Sequence, residues 1–322
     1  HRQWLQVEES NRTLDGAFLY EQSLAEAIET LVYPLHFIDF ETSRPALPFH
    51  AGRRPYEQLL FQFSHHQLEA NGHLAHLHQH LADANAGWPS IESIRALKHA
   101  VGGDNGSVLH WWDHERTVLR EIRAQIAASD PAEVPDAEAL LEFIDDLVGA
   151  DGREARLFDL GRLVHRTTFL IGTRGSSSLK KILPALLASL EPLRDRYARP
   201  DYGTIGWIPS LNFKDHTWIR YNDTGQVIDP YKLLGERTED PDLLGLEHLE
   251  GDDATTIADG GAAMVAYGLL QNHLLDEAKR ERLRSQLLRY CELDTLAMVM
   301  AWQGLQHYCN GGAFPSTKNA AS

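Results

Sequence analysis

The sequence predicts an α/β protein: a mixed β-sheet flanked by helices, with an N-terminal helical extension and two acidic insertions. Three observations predict it. Short apolar runs of strand length come first, two of them joined by Asn71-Gly72. Further short runs then alternate with stretches of helical periodicity, the pattern of strands and helices packed in one sheet. The chain of 322 residues is 43% hydrophobic and 24% charged, which is enough to bury a core and too apolar for a disordered protein.

Residues 21–33 carry Leu24, Ile28, Leu31 and Val32 at helical spacing and read as a helix. LHFIDFE (35–41) follows Pro34 and reads as a buried strand. QLLFQFSHHQLE (58–69) reads as a second strand and HLAHLHQHL (73–81) as a third. The Asn-Gly between them predicts a hairpin, with His76, His78 and His80 on one face of its second strand. WPSIESIRALKHAV (88–101) reads as a helix, GSVLHWW (106–112) as a buried strand and HERTVLREIRAQIAA (114–128) as a helix. AEALLEFIDDLV (137–148) is an amphipathic helix, and ARLFDL (155–160) a short strand. SSSLKKILPALLASL (176–190) opens on serines suited to capping and is helical at least to Pro184. Residues 195–259 lack periodicity, and helical spacing returns at 260–275 and 277–307. The expected division is an N-terminal helical extension (1–33), one domain (34–310) and a tail (311–322).

No run approaches the roughly 18 apolar residues of a membrane span, so no membrane partner is expected. HRQWLQVEES carries no secretory signal, and Cys291 and Cys309 cannot build a disulfide framework, which together point to a reducing cytoplasm. The chain opens on His1, which leaves room for a further domain or partner upstream. Lys and Arg number 30 and Asp and Glu 46, a net charge of −16 that argues against tight, nonspecific duplex binding. The excess is confined to two blocks. Residues 130–151 and 239–259 hold eight acids each and no Lys or Arg, so the rest of the chain balances. The charge therefore leaves a nucleic-acid substrate open, with the two insertions expected to restrict which strands reach the site.

Three segments bear chemistry. Asp39 and Glu41 alternate along a buried strand and share one face; paired buried carboxylates require compensation, for which a divalent cation is suited. Tyr290 and Asp294 stand four apart on a helix and share a face. WWDHERTVLREI (111–122) marks a strand-to-helix junction where Asp113 suits an N-cap and Glu115 the first turn, or where one of them brings a third carboxylate to the sheet edge. His65, His66, His76, His78 and His80 lack the tight spacing of a zinc site.

In this order, the three segments resemble the DEDD superfamily of 3′–5′ exonucleases, the DnaQ-like branch of the ribonuclease H-like fold. Arg289 stands five before Asp294, so the match is to the Tyr subtype. The chain is also similar to a prokaryotic family described as a domain of unknown function, through FIDFETSRPALP (37–48), RPYEQLLFQFSHH (54–66), GSSSLKKILPAL (175–186) and YCELDTLAM (290–298). One block departs: the family reads Asn-x-x-Phe-Glu where this chain has Trp111-Trp112-Asp113-His114-Glu115, which keeps Asp113 as an alternative to Glu115.

The resemblance implies a ribonuclease H-like sheet and two-metal phosphodiester hydrolysis at a single-stranded 3′ end of DNA or RNA. Asp39, Glu41, Glu115 and Asp294 would hold two Mg²⁺ or Mn²⁺ ions, and Tyr290 would orient the attacking water or help deprotonate it, orientation suiting a phenol at neutral pH. Arg174, Ser176, Ser178, Lys180 and Lys181 precede or open a helix and suit a phosphate. Arg54 and Tyr56 would contact the nucleic-acid backbone, and Asp159 would support the site from behind. A phosphodiesterase for short oligonucleotides, or a binding or scaffold module with a decayed site, are the alternatives.

Overall fold

In the computed structural model, residues 18–20, 22–83, 87–150, 152–204, 206–234, 260–271 and 275–309 are described. A short strand β1 (Phe18–Tyr20) and helix α1 (Gln22–Glu29) precede the central strand β2 (Leu35–Ser43). Strands β3 (Leu59–Leu68) and β4 (Leu74–Leu81) follow as an antiparallel hairpin. Helix α2 (Pro89–Val101) leads to β5 (Val108–His110), and helices α3 (His114–Ala127) and α4 (Ala137–Val148) to β6 (Leu157–Asp159). The order across the sheet is β4-β3-β2-β5-β6, with β3 antiparallel to β2 and β4, and β5 and β6 parallel to β2. This mixed five-stranded sheet with helices on both faces is consistent with the ribonuclease H-like class expected from the sequence.

Beyond β6 come α5 (Leu160–Thr167), β7 (Thr168–Leu170), α6 (Leu179–Ser189), α7 (Glu191–Tyr197), the one-turn α8 (Pro230–Leu233), α9 (Gly260–Leu270) and the long α10 (Glu277–Cys309). Alternation along β2 and β3 sorts two cores. Ile38, Phe40, Leu60 and Phe63 pack under α2, α3 and α4, with Ile91, Leu119 and Ile144. Leu35, Phe37 and Phe61 join the core of the other face, beneath α6, α7, α9 and α10. Helix α10 is buried on every side from Tyr290 to Leu305, where Glu292, Asp294, Thr295 and Gln303 interrupt its apolar residues. β1 pairs with β7, and Leu24 of α1 lies in the larger core. The described part of the N-terminal extension is thus a strand and a helix docked on the domain. Among the described residues, no helix is long and apolar enough to cross a membrane.

Several local expectations are corrected. The strand read over 106–112 covers Val108–His110 only, because Trp111 and Trp112 turn out of it toward α3. The expected hairpin is present and closes through Glu69–His73, with Gly72 at φ 86° and Glu69 N–H donating to His73 O. Helix α6 is helical past Pro184 to Ser189, as expected, but Ser178 occupies its N-cap without the expected side-chain capping bond. A β-bulge leaves Leu77 unpaired, since His66 pairs with His76 and His65 with His78. The extra residue reverses the alternation. His76 therefore faces α10 while His78 faces α2, and the three histidines do not share a face.

Candidate active site

Asp39 and Glu41 lie toward the C-terminal end of β2, on the face covered by α10. Both belong to the central strand, and Asp39 pairs with Ser64 and Glu41 with Gln62. Glu115 sits in the first turn of α3, directly after β5, where a negative charge favours the helix dipole. Tyr290 and Asp294 face the same place from the middle of α10. These five residues line one cleft of about 630 Å³, with Trp111, Trp112, His114, Ser176, Ser178, Lys180 and Gly260. The carboxylates are well covered: Glu41 is 6% exposed, Glu115 2% and Asp294 6%. The cleft opens at the C-terminal ends of the parallel strands β2 and β5, where α/β sheets commonly place ligands.

Burial, and then the charges of Asp294, Glu115 and Glu41, push the Asp39 carboxyl well above the usual carboxylate range. Asp294 is also raised by burial, opposed by the Lys180 ammonium and by hydrogen bonds from Tyr231 and Tyr290. Lys180 Nζ donates to Tyr290 Oη at 2.9 Å. Burial and the surrounding carboxylates drive the Tyr290 phenol far up, so it stays protonated at neutral pH. As a donor it can orient a group in the cleft.

The donor set fits divalent cations. Glu115 Oε2 is buried without a hydrogen-bond partner; His110 Nδ1 stands 3.4 Å away without hydrogen-bond geometry. Asp39, Glu41 and Cys291 each place one donor atom within 4.8 Å of the others. Crowded carboxylates with an orphaned oxygen are costly without a counter-charge, and oxygen ligands suit Mg²⁺ and Mn²⁺.

The other expected residues divide. Asp113 is 57% exposed at its side chain, ion-paired to Arg162 and outside the cleft lining, so Glu115 is the acid that joins the cluster. Asp159 Oδ1 accepts the Trp112 N–H at 3.1 Å and the Arg162 N–H at 2.7 Å, behind the cleft. Ser176, Ser178 and Lys180 line it; Arg174 and Lys181 are exposed outside it. Arg54 and Tyr56 stand in the loop after β2, exposed and away from the cleft wall. The histidines gather no common centre. His36, His65 and His78 form a hydrogen-bonded chain at 3.0 and 3.2 Å on the α2 side, while His66 and His76 join a network on the α10 side.

Sequence reasoning missed four contributors. Tyr231 Oη donates to Asp294 Oδ1 at 2.5 Å, from a segment without periodicity. Cys291, read as a core residue, places Sγ 3.7 Å from Asp39 Oδ2. Trp111 and Trp112 donate their indole N–H groups to Ser177 O at 3.0 and 3.4 Å, tying the α3 junction to the serine loop. Trp112 does so at φ 67°, a conformation rare for a bulky side chain. Gly161 makes room for it, since a Cβ there would meet Trp112 N at 2.9 Å. The double Trp where the resembled family has Asn was the available signal.

A family described as a domain of unknown function (DUF2779) matches residues 36–178. The matched span includes Asp39, Glu41 and Glu115 and stops before Lys180 and α10. No curated protein and no solved structure matches the chain.

Proposed function

We propose that the protein is a metal-dependent 3′–5′ exonuclease that hydrolyses phosphodiester bonds at single-stranded nucleic-acid ends. One observation carries the reading: carboxylates from three distant segments, Asp39 and Glu41, Glu115, and Asp294, meet in one cleft beside Tyr290 and Lys180. The resemblance to the DEDD exonucleases of the Tyr subtype supports it. Asp39, Glu41, Glu115 and Asp294 would hold the cations, two Mg²⁺ or Mn²⁺ in the reading the resemblance implies. Bound there, the cations supply Lewis-acid polarisation of the phosphate and offset the carboxylate charge.

The chain's own residues do the rest. Tyr290 orients the attacking water through its phenol, which Lys180 fixes at 2.9 Å. Lys180 also supplies a positive charge for the phosphate, and Ser176 and Ser178 offer hydroxyls at the same wall. Trp111, Trp112 and Asp159 hold the junction that presents Glu115. Both cysteines are free thiols, which fits a cytoplasmic setting.

The test is digestion of labelled single- and double-stranded DNA and RNA with Mn²⁺, beside Asp39→Ala and Asp294→Ala. Shortening from the 3′ end of single strands, lost in both variants, is expected; equal activity in the variants removes the assignment. One observation favours a second reading. Lys180 is the only Lys or Arg lining the cleft among the described residues, which suits a phosphodiesterase for short oligonucleotides. Dimers cleaved faster than 20-mers would select that reading.

A further inference from the structure

Asp294 is engaged by two phenols, those of Tyr231 and Tyr290, with the Lys180 ammonium nearby. Tyr231 donates its hydroxyl hydrogen to Asp294 Oδ1 at 2.5 Å, and the residue is 4% exposed. Its placement is built locally: Pro230 opens α8, and the Asp229 carboxylate accepts the Tyr231 N–H at 3.1 Å. The Tyr231 and Tyr290 rings lie 6.5 Å apart. Lys180 Nζ stands 5.2 Å from the Tyr231 ring centre and 4.9 Å from that of Tyr290. Two phenols and one ammonium thus surround one carboxylate.

A hydrogen bond to one carboxylate oxygen fixes the plane and tilt of the other. A ligand held in place before the ion arrives loses less freedom on binding, and such outer partners commonly set metal affinity. We propose that Tyr231 is a positioning residue that presets the Asp294 carboxylate for a divalent cation. The one-turn α8 with its N-cap Asp229, which carries no motif, is thereby a working part of the site. This rests on the metal-dependent reading above, but on its metal site rather than on its substrate.

The experiment is Mn²⁺ titration of the full chain by calorimetry for the natural sequence, Tyr231→Phe and Tyr197→Phe. Tyr231→Phe keeps the ring and removes only the hydroxyl. Tyr197→Phe removes another buried hydroxyl, one that donates to Gln303 Oε1 at 2.9 Å and is not in the cleft lining. The expected result is a fall in Mn²⁺ affinity of about ten- to a hundredfold for Tyr231→Phe and none for Tyr197→Phe. Hydrolysis by Tyr231→Phe should recover at saturating Mn²⁺ with KM for the nucleic acid unchanged. Equal affinity in Tyr231→Phe and the natural chain overturns the proposal, as does an equal loss in both variants. If the natural chain binds Mn²⁺ but cleaves no nucleic acid, the nuclease reading fails and the affinity comparison still decides this one. If it binds no Mn²⁺, both fall.

Discussion

Removing one carboxylate from the cleft should stabilise the metal-free protein and abolish its response to metal. Asp39 is the residue to change, because burial and three neighbouring acids oppose its ionisation together. Its folded pKa lies above the unfolded value, so its contribution to stability is greatest below about pH 4 and is lost as pH rises through the folded pKa. Ionisation of the crowded cluster therefore costs stability, which cations bound there would offset. At 100 Kd of Mn²⁺ the linkage stabilises the fold by about 2.7 kcal/mol. With about 2.1 cal/mol/K of unfolding entropy per residue, 322 residues give about 0.7 kcal/mol/K, so Tm rises by about 4 °C. Differential scanning fluorimetry with EDTA or Mn²⁺ measures it. Asp39→Asn should melt higher than the natural chain in EDTA and shift little with Mn²⁺. An unchanged Tm with Mn²⁺ in the natural chain, joined to an Asp39→Asn Tm no higher in EDTA, would refute the reasoning.

Three further outcomes follow from the same contacts. Glu292 is fully buried and accepts from Tyr202, Ser210 and Asn212 at 2.5–2.7 Å, with His76 Nδ1 at 3.2 Å; Glu292→Leu should cost about 3–5 kcal/mol in urea unfolding, and a loss below 1 kcal/mol would contradict the network. Burial holds His65 and His66 well below the ordinary histidine value, so the unfolded chain takes protons first as pH falls below about 6.5; Tm should drop between pH 7 and 5, and a flat profile would count against neutral buried imidazoles. Gly161→Ala places a methyl 2.9 Å from Trp112 N and should cost about 1–3 kcal/mol, with hydrolysis reduced because Glu115 shifts with the junction; unaltered unfolding and activity would show that the loop accommodates it freely.

What the sequence made legible was whatever a short-range pattern encodes. Asp39 and Glu41 were readable because strand alternation sends both to one face, and Tyr290 and Asp294 because four residues make about one helical turn. The choice between Asp113 and Glu115 was not, since both suit a helix start; only the packing of α3 shows Glu115 buried and Asp113 paired with Arg162. Tyr231 was invisible for another reason. Its role depends on where a non-periodic segment docks on α10, and no local spacing records a contact 63 residues away. The histidine faces were misread because one bulged residue, Leu77, reverses the alternation, and a bulge leaves little trace in composition.

The charge resolves along the same lines. In the 130–151 block, Asp136 pairs with Arg95, Asp145 with Arg123, Asp146 with Arg156, Glu133 with Arg53 and Glu142 with Arg153. Its helix, α4, packs with α2 and α3 on the face away from α10. Most of these acids thus hold arginines of their own domain, so the block is poorly placed to repel a strand at the cleft. The 239–259 block lies outside the described residues. The chain's net charge and the field at its cleft are therefore separate quantities: the first comes from the insertions, while the second is set by four carboxylates and Lys180. Cations bound at those carboxylates would change the sign of the field that a phosphate meets there, whatever the total charge of the molecule.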